Sequence, residues 1–408
     1  MFRISVITYF IALSLMFSRN VSAASWWEVQ SIDTMKQSRD LAREKLENKG
    51  FDVQIDSQVL RIAETGATHI AIATPYDEEF SPFLKRWVES ARRYGLKVWF
   101  RGNFSGWEGW FGYSRITRSE HKVKTAEFID KNPDLFEDGD IFSSCPECEN
   151  GGPGDPRSNG DVDGHRKFIL EEYQVTKEKF KKIGKDVRSN YASMNFDVAY
   201  LIMDAKTTFE MDGLVTIDHY VATSDRMVSD VLKLRESSKG RIFFGEIGAP
   251  IPDIHGDLDS ESQSQWIDTA FKKLSSISYV TGVNYWVNIG GTTRIWEDNG
   301  DPRKAVETLN KYFKPLTVEG TVVNRLNEPV ANAKVVLGVK EIETDSIGRF
   351  EIPVIDAKKI IISHSDYETT HFFVDSMPKD GNFLIQKKQE SLLFKLRFLL
   401  KSLFSKLR

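Results

Sequence analysis

Ile242-Phe-Phe-Gly-Glu246-Ile-Gly248 is a short apolar run that ends on an acid between two glycines. Such a run predicts a buried strand with chemistry at its carboxyl end. Seven similar runs can be read, so that eight strands are expected at 27–32, 68–73, 97–101, 140–145, 187–193, 214–219, 242–246 and 282–288. Helical patterns lie between them at 81–94, 165–183, 196–209, 225–237, 261–277 and 302–313. The stretch 35–67 reads as two helical pieces. Ser81-Pro82 starts the first long helix, and Phe83, Trp87 and Ala91 share one of its faces. Eight strand–helix units over residues 24–314 predict the α/β class and a closed (β/α)8 TIM barrel. A doubly wound open sheet is the structural alternative.

Composition narrows the function. The chain has 408 residues, 40% hydrophobic and 28% charged, which allows sizeable cores and excludes wholesale disorder. A net charge of −4 gives no basic balance that would point to nucleic acid. Two cysteines exclude a disulfide-rich scaffold and a four-thiolate zinc site. Arg3, an apolar run over 6–17 and Val21-Ser22-Ala23 have the order of a secretory leader, expected to span 1–23. The run is shorter than the ~20 residues of a bilayer span.

In a barrel of this kind the strand ends at the carboxyl side carry the site. After the third strand come Arg101, Asn103, Trp107 and Trp110, and after the fourth Cys145-Pro-Glu147-Cys148-Glu149-Asn150. The sixth ends Asp218-His219-Tyr220, the seventh on Glu246 and the eighth Asn284-Tyr-Trp286. Aromatic faces stack on sugar rings, while amides, imidazoles and carboxylates bind hydroxyls. Breaking a glycosidic bond needs a proton donor and a second carboxylate. Glu147 or Glu149 on one side of the mouth and Glu246 on the other supply that pair.

These residues resemble glycoside hydrolases of clan A, over most of 25–314. The most specific parts are Phe243-Phe-Gly-Glu246-Ile-Gly248, His219-Tyr220 and Trp286. The resemblance implies Glu246 as nucleophile, a strand-four Glu as acid/base, and Tyr220 or His219 bonded to the nucleophile. It also implies Trp286 as a sugar platform. The clan places Asn before its acid/base; here Pro146 precedes Glu147 and Cys148 precedes Glu149. Strand length favours Glu147, while alternation puts both on one side. Asn150 is the available stand-in for the missing amide. Arg101, Asn103, Trp107, Trp110, Asn150, His219, Tyr220 and Trp286 are therefore the expected substrate-binding residues. No cofactor and no metal are called for. The expected partner is a β-linked oligo- or polysaccharide, and the chemistry retaining hydrolysis. The rival from another class is a barrel that binds carbohydrate without turnover.

Other signals are weaker. Cys145-Pro-Glu-Cys148 reads as a local disulfide, as two free thiols or, lacking a helix directly after it, less well as a redox pair. Asn159-Gly-Asp161-Val-Asp163 resembles half a calcium loop, but Leu170 stands where the bidentate acid belongs, so a helix cap is the better reading. Trp107, Trp110 and Trp296 serve either as platforms or as core. Asn103-Phe-Ser105 is a glycosylation sequon.

From residue 316 to 388 short alternating strands predict a small β-sandwich. Val318-Glu-Gly320-Thr-Val322 and Thr344-Asp345-x-x-Gly348-x-Phe350 resemble the carboxypeptidase regulatory-like domain, which implies a non-catalytic spacer or binding module. The segment 391–408 carries five basic residues and no acid, with its leucines on one arc. It is expected to form a basic amphipathic helix, lying on an anionic membrane surface or docked on protein.

Overall fold

A computed structural model describes residues 25–388. The leader and the basic amphipathic segment expected from the sequence lie outside these residues. Eight parallel strands form one curled sheet: β1 (Val29–Asp33), β2 (His69–Ile72), β3 (Lys97–Phe100), β4 (Ile141–Phe142), β5 (Ser193–Asn195), β6 (Leu214–Asp218), β7 (Arg241–Ile247) and β8 (Val280–Tyr285). Their order is β4-β3-β2-β1-β8-β7-β6-β5. A parallel bridge between Ile141 and Arg188 joins the two ends, so the sheet closes into a TIM barrel.

Alternation sorts the strand residues into two cores. Val29, Ala71, Trp99, Ile141, Tyr191, Leu214 and Phe243 fill the barrel interior. Trp99 and Tyr191 both pack edge-on to Phe243, at 5.3 and 5.1 Å. The neighbouring positions, among them Ile32, Phe100, Ile217, Phe244 and Val283, face outward against the helices.

Three expectations need correction, and one helix is added. The strand read at 187–193 begins its pairing with β6 only at Ser193, because Arg188 is spent on the closing bridge. The helix read at 196–209 is two, Phe196–Ile202 and Ala205–Glu210, since Asp204 caps the second through the Thr207 amide. The stretch 35–67 holds three α-helical pieces, not two. A helix the periodicity did not reveal, Arg118–Lys131, packs Phe128 against Phe142 of β4. Its signal was the capping box Thr117-x-x-Glu120, in which both reciprocal bonds form.

Seven further strands follow: β9 (Leu316–Val323), β10 (Lys334–Leu337), β11 (Lys340–Glu343), β12 (Arg349–Val354), β13 (Lys359–His364), β14 (Tyr367–Phe373) and β15 (Asn382–Leu384). They form a four-stranded sheet, β11-β10-β13-β14, and a three-stranded sheet, β12-β9-β15. Their own core contains Val335, Leu337, Phe350, Ile352, Ile360, Ile362 and Phe383. This β unit sits at the amino end of the barrel strands, away from the mouth. There Lys340 donates to the Trp26 carbonyl and lies 4.7 Å over its ring, and Lys272 pairs with Asp356 at 2.7 Å. Val339 and Ile355 pack onto the barrel's outer core.

Candidate active site

The mouth is organised around Arg101. Trp99 points into the barrel, so the residue two further on does too, and the Arg101 guanidinium comes to rest fully buried above the Trp99 ring. There it bonds inward residues of four other strands, β1, β5, β6 and β7. Nη1 donates to Asp33 at 2.9 Å and to Glu246 at 2.6 Å. Nη2 donates to Asp218 at 2.9 Å and to the Ser193 hydroxyl at 3.3 Å. Asn284 completes the floor, donating to Asp33 and to the Gly245 carbonyl. Burial raises the pKa of Asp33 and, much more, of Asp218; Arg101 opposes this in both. The Arg101 pKa is lifted far up by Glu246, Asp218 and Asp33, against the cost of burying its charge.

Glu246 reaches this cluster through a change of phase. Phe243 faces inward and Phe244 outward, so strict alternation would turn Glu246 away. The pairing with β6 slips between Ile217 and Asp218, and that irregularity turns Glu246 into the mouth. Gly245 fits there because it has no side chain: a Cβ would meet Asp218 Oδ1 at 2.4 Å. The second Glu246 oxygen accepts from the Tyr220 hydroxyl at 2.7 Å. Burial first, and then the Glu246 charge, hold that phenol protonated.

Glu147 is delivered differently. β4 ends at Phe142, and the acid lies in a loop closed by a Cys145–Cys148 disulfide. Its backbone is left-handed, with φ 46° and ψ 49°, and its N–H donates to the Ser193 carbonyl at 2.8 Å. Oxygens of Glu147, Asp218 and Glu246 all lie within 4.8 Å of one another. Burial, and then the charge of Glu246, push the Glu147 pKa up to about 8. Three such carboxylates are a conceivable cation site. Two of them already bond Arg101, whose fixed charge would repel a cation, so the donor set does not fit a resident metal.

The other expected residues divide. Glu149 turns from Glu246 to the Asn195 amide groups, which it accepts at 2.7 and 3.0 Å. Parity could not separate the two acids because neither stands on a strand. Trp286 is half-buried beside Tyr220, with ring centroids 6.1 Å apart, and its buried indole N–H has no partner among the described residues. Trp110 is half-buried at the rim with Arg39 4.6 Å over its ring, and Asn150 is exposed.

Four placements differ from expectation. Arg101 is inaccessible to a substrate because the carboxylates enclose it. His219 points outward, to within 3.3 Å of the Asp230 carboxylate, because it lies between the inward Asp218 and Tyr220. Asn103 is buried: its oxygen accepts from the Phe104 amide and pairs with His121, and its nitrogen donates to Glu108. Its sequon is thus enclosed in the fold. Trp107 stacks on Phe168 at 5.0 Å and donates to the Cys148 carbonyl, and is core. Trp296 is buried as well. Asp161 caps the helix Val162–Ile183 through the Gly164 amide and pairs with Arg118, as the cap reading expects.

Asp33, Ser193, Asp218 and Asn284 were not singled out as site residues. They are inward positions on β1, β5, β6 and β8, and the period-two phase set by Val29, Tyr191 and Leu214 was the signal for the first three.

No family model matches the chain, and no curated protein matches it in sequence. Among solved structures, a GH5_18 protein from Bifidobacterium longum subsp. infantis is similar with a TM-score of 0.50 and 11% identity, over 74% of this chain and 84% of that one. A beta-D-glucuronidase of Dictyoglomus thermophilum is 15% identical with a TM-score of 0.47, over 71% of this chain and 51% of that one. Beta-glucuronidase 3 of Bacteroides uniformis is 10% identical with a TM-score of 0.45, over 83% of this chain and 47% of that one. The chain spans about half the length of these glucuronidases. At such identities the likeness is one of fold: this is a (β/α)8 barrel followed by a β unit, and similar barrels occur in glycoside hydrolases.

Proposed function

We propose that the chain is an exported retaining glycoside hydrolase that cleaves β-linked oligo- or polysaccharides. The observation that carries this is that an oxygen of Glu147 and an oxygen of Glu246 approach to within 4.8 Å. Retaining pairs stand about 5–5.5 Å apart and inverting pairs about 6.5–9.5 Å. Glu246 is the nucleophile: Arg101 and Tyr220 both donate to its oxygens, which fixes its aim. Glu147, with its raised pKa, is the acid that protonates the leaving oxygen and then the base that activates water. Trp286 is the platform under the sugar at the cut bond, its free N–H available to a hydroxyl. The barrel that binds without turnover predicts acids set far apart or mispointed, so the close pair favours hydrolysis.

The leader, and a disulfide that needs an oxidising compartment, support export. The β unit is read as a carboxypeptidase regulatory-like spacer or binding module, and the basic amphipathic segment as a contact to an anionic membrane surface. Among the described residues no helix is long and apolar enough to cross a membrane. The test is a panel of β-glycan fragments incubated with the chain and with Glu246→Gln. Turnover by the first and not the second supports the hydrolase. Binding with equal absence of turnover in both supports the lectin-like rival.

A further inference from the structure

Among the described residues, the barrel strands hold Glu147 by one backbone bond, from its N–H to the Ser193 carbonyl of β5 at 2.8 Å. The last residue of β4 is Phe142, so the acid stands beyond the end of its strand, in a loop with a left-handed backbone. What shapes that loop is the ring Cys145-Pro146-Glu147-Cys148, closed by the disulfide. Each end of the ring is anchored to the segment after β3. The Asn103 amide lies 3.6 Å from Cys145 Sγ, and the Trp107 indole donates to the Cys148 carbonyl at 3.1 Å. The chain then passes over the Trp107 ring at Gly151 and Gly152, where a Cβ would come within 2.6 and 2.3 Å of it. Asn103 is in turn held by His121, which lies fully buried between it and Glu172. Both cysteines are buried in this packing.

A disulfide that closes a ring this small removes little freedom from the unfolded chain, because the entropic gain grows with loop length. Its effect is therefore local, and the residue it brackets is the acid. We propose that Cys145 and Cys148 are positioning residues, whose bond holds the Glu147 carboxyl against Glu246 in place of the strand end that β4 lacks. This rests on the reading of Glu147 as proton donor.

The test compares the oxidised chain with Cys145→Ser/Cys148→Ser and, should that variant misfold, with Cys148→Ala alone. Two substrates are used: an oligosaccharide that the chain cleaves, and the dinitrophenyl glycoside of the same sugar, whose leaving group departs without a proton. Losing the positioned acid costs about 100-fold or more in kcat on the oligosaccharide, while release of dinitrophenolate in the first turnover stays near the parent rate. Equal losses on both substrates, or no loss on either, overturn the proposal. A crystal structure of the variant gives a readout independent of turnover. Glu147 displaced from Glu246 supports the latch; the two acids still within contact range refute it. If the parent chain cleaves no glycoside, the hydrolase reading fails, and the crystal structures still decide whether the bond positions Glu147.

Discussion

Arg101 compensates three buried carboxylates, so its removal exposes what the site costs. Breaking a buried ion pair from one side typically destabilises by about 3–5 kcal/mol. Arg101→Met is expected to lose stability of that order in chemical denaturation, together with turnover. Arg101→Lys restores the charge without the two-pronged fork and should remain impaired. Glu147 has the opposite character. Its carboxyl is held near pKa 8, against an ordinary value of 4.5. The folded chain therefore binds a proton that the unfolded chain has released, and stability falls as pH rises from about 4.5 to about 8. Glu147→Gln should unfold at a higher temperature than the parent at pH 8, with little difference at pH 4, by calorimetry. Because the acid must be protonated to act, kcat/KM should fall above about pH 8. In Glu147→Gln that alkaline limb should vanish, along with about 100-fold or more of the activity.

At the scale of elements, the irregular pairing of β6 with β7 decides whether Glu246 faces the mouth. Gly245→Ala places a Cβ at 2.4 Å from Asp218 Oδ1 and 2.8 Å from the Ser193 Cβ. It should cost about 1–3 kcal/mol as overpacking and lower kcat more than it raises KM, which steady-state kinetics would separate. The same element shows what the sequence could and could not convey. Six of the eight strands were readable because their apolar runs recur at regular spacing, whereas β4 keeps only Ile141–Phe142 of the run read at 140–145 and β5 starts only at Ser193. Glu246 was readable as the acid ending one of them, but the slip that turns it inward was not, since it lies in the pairing and not in the run. The helix Arg118–Lys131 escaped because its polar and apolar residues are scattered, with only His121, Thr125, Phe128 and Ile129 buried. Asn103 and Trp107 looked like rim residues because they follow a strand end among glycines. Their burial comes from the helix Val162–Ile183, which supplies Glu172 and Phe168, far away in sequence.

The whole molecule separates its tasks by end. The mouth of the barrel holds the acids, and the opposite end holds the β unit through Lys340, Trp26 and the Lys272–Asp356 pair. Burial lowers the Lys340 pKa, so its ammonium is held at some cost by the Trp26 carbonyl and ring. Lys340→Ala should lower the cooperativity between the two units, seen as two calorimetric transitions in place of one, and leave kcat unchanged. Lys272→Ala, at an exposed pair, should change stability by less than about 1 kcal/mol.

The central claim is the double displacement built on Glu147 and Glu246. Its most direct test follows the first-formed sugar anomer by proton NMR during cleavage of a β-linked substrate. The account predicts the β anomer first, with the α anomer rising only by mutarotation; an α anomer formed first would contradict it.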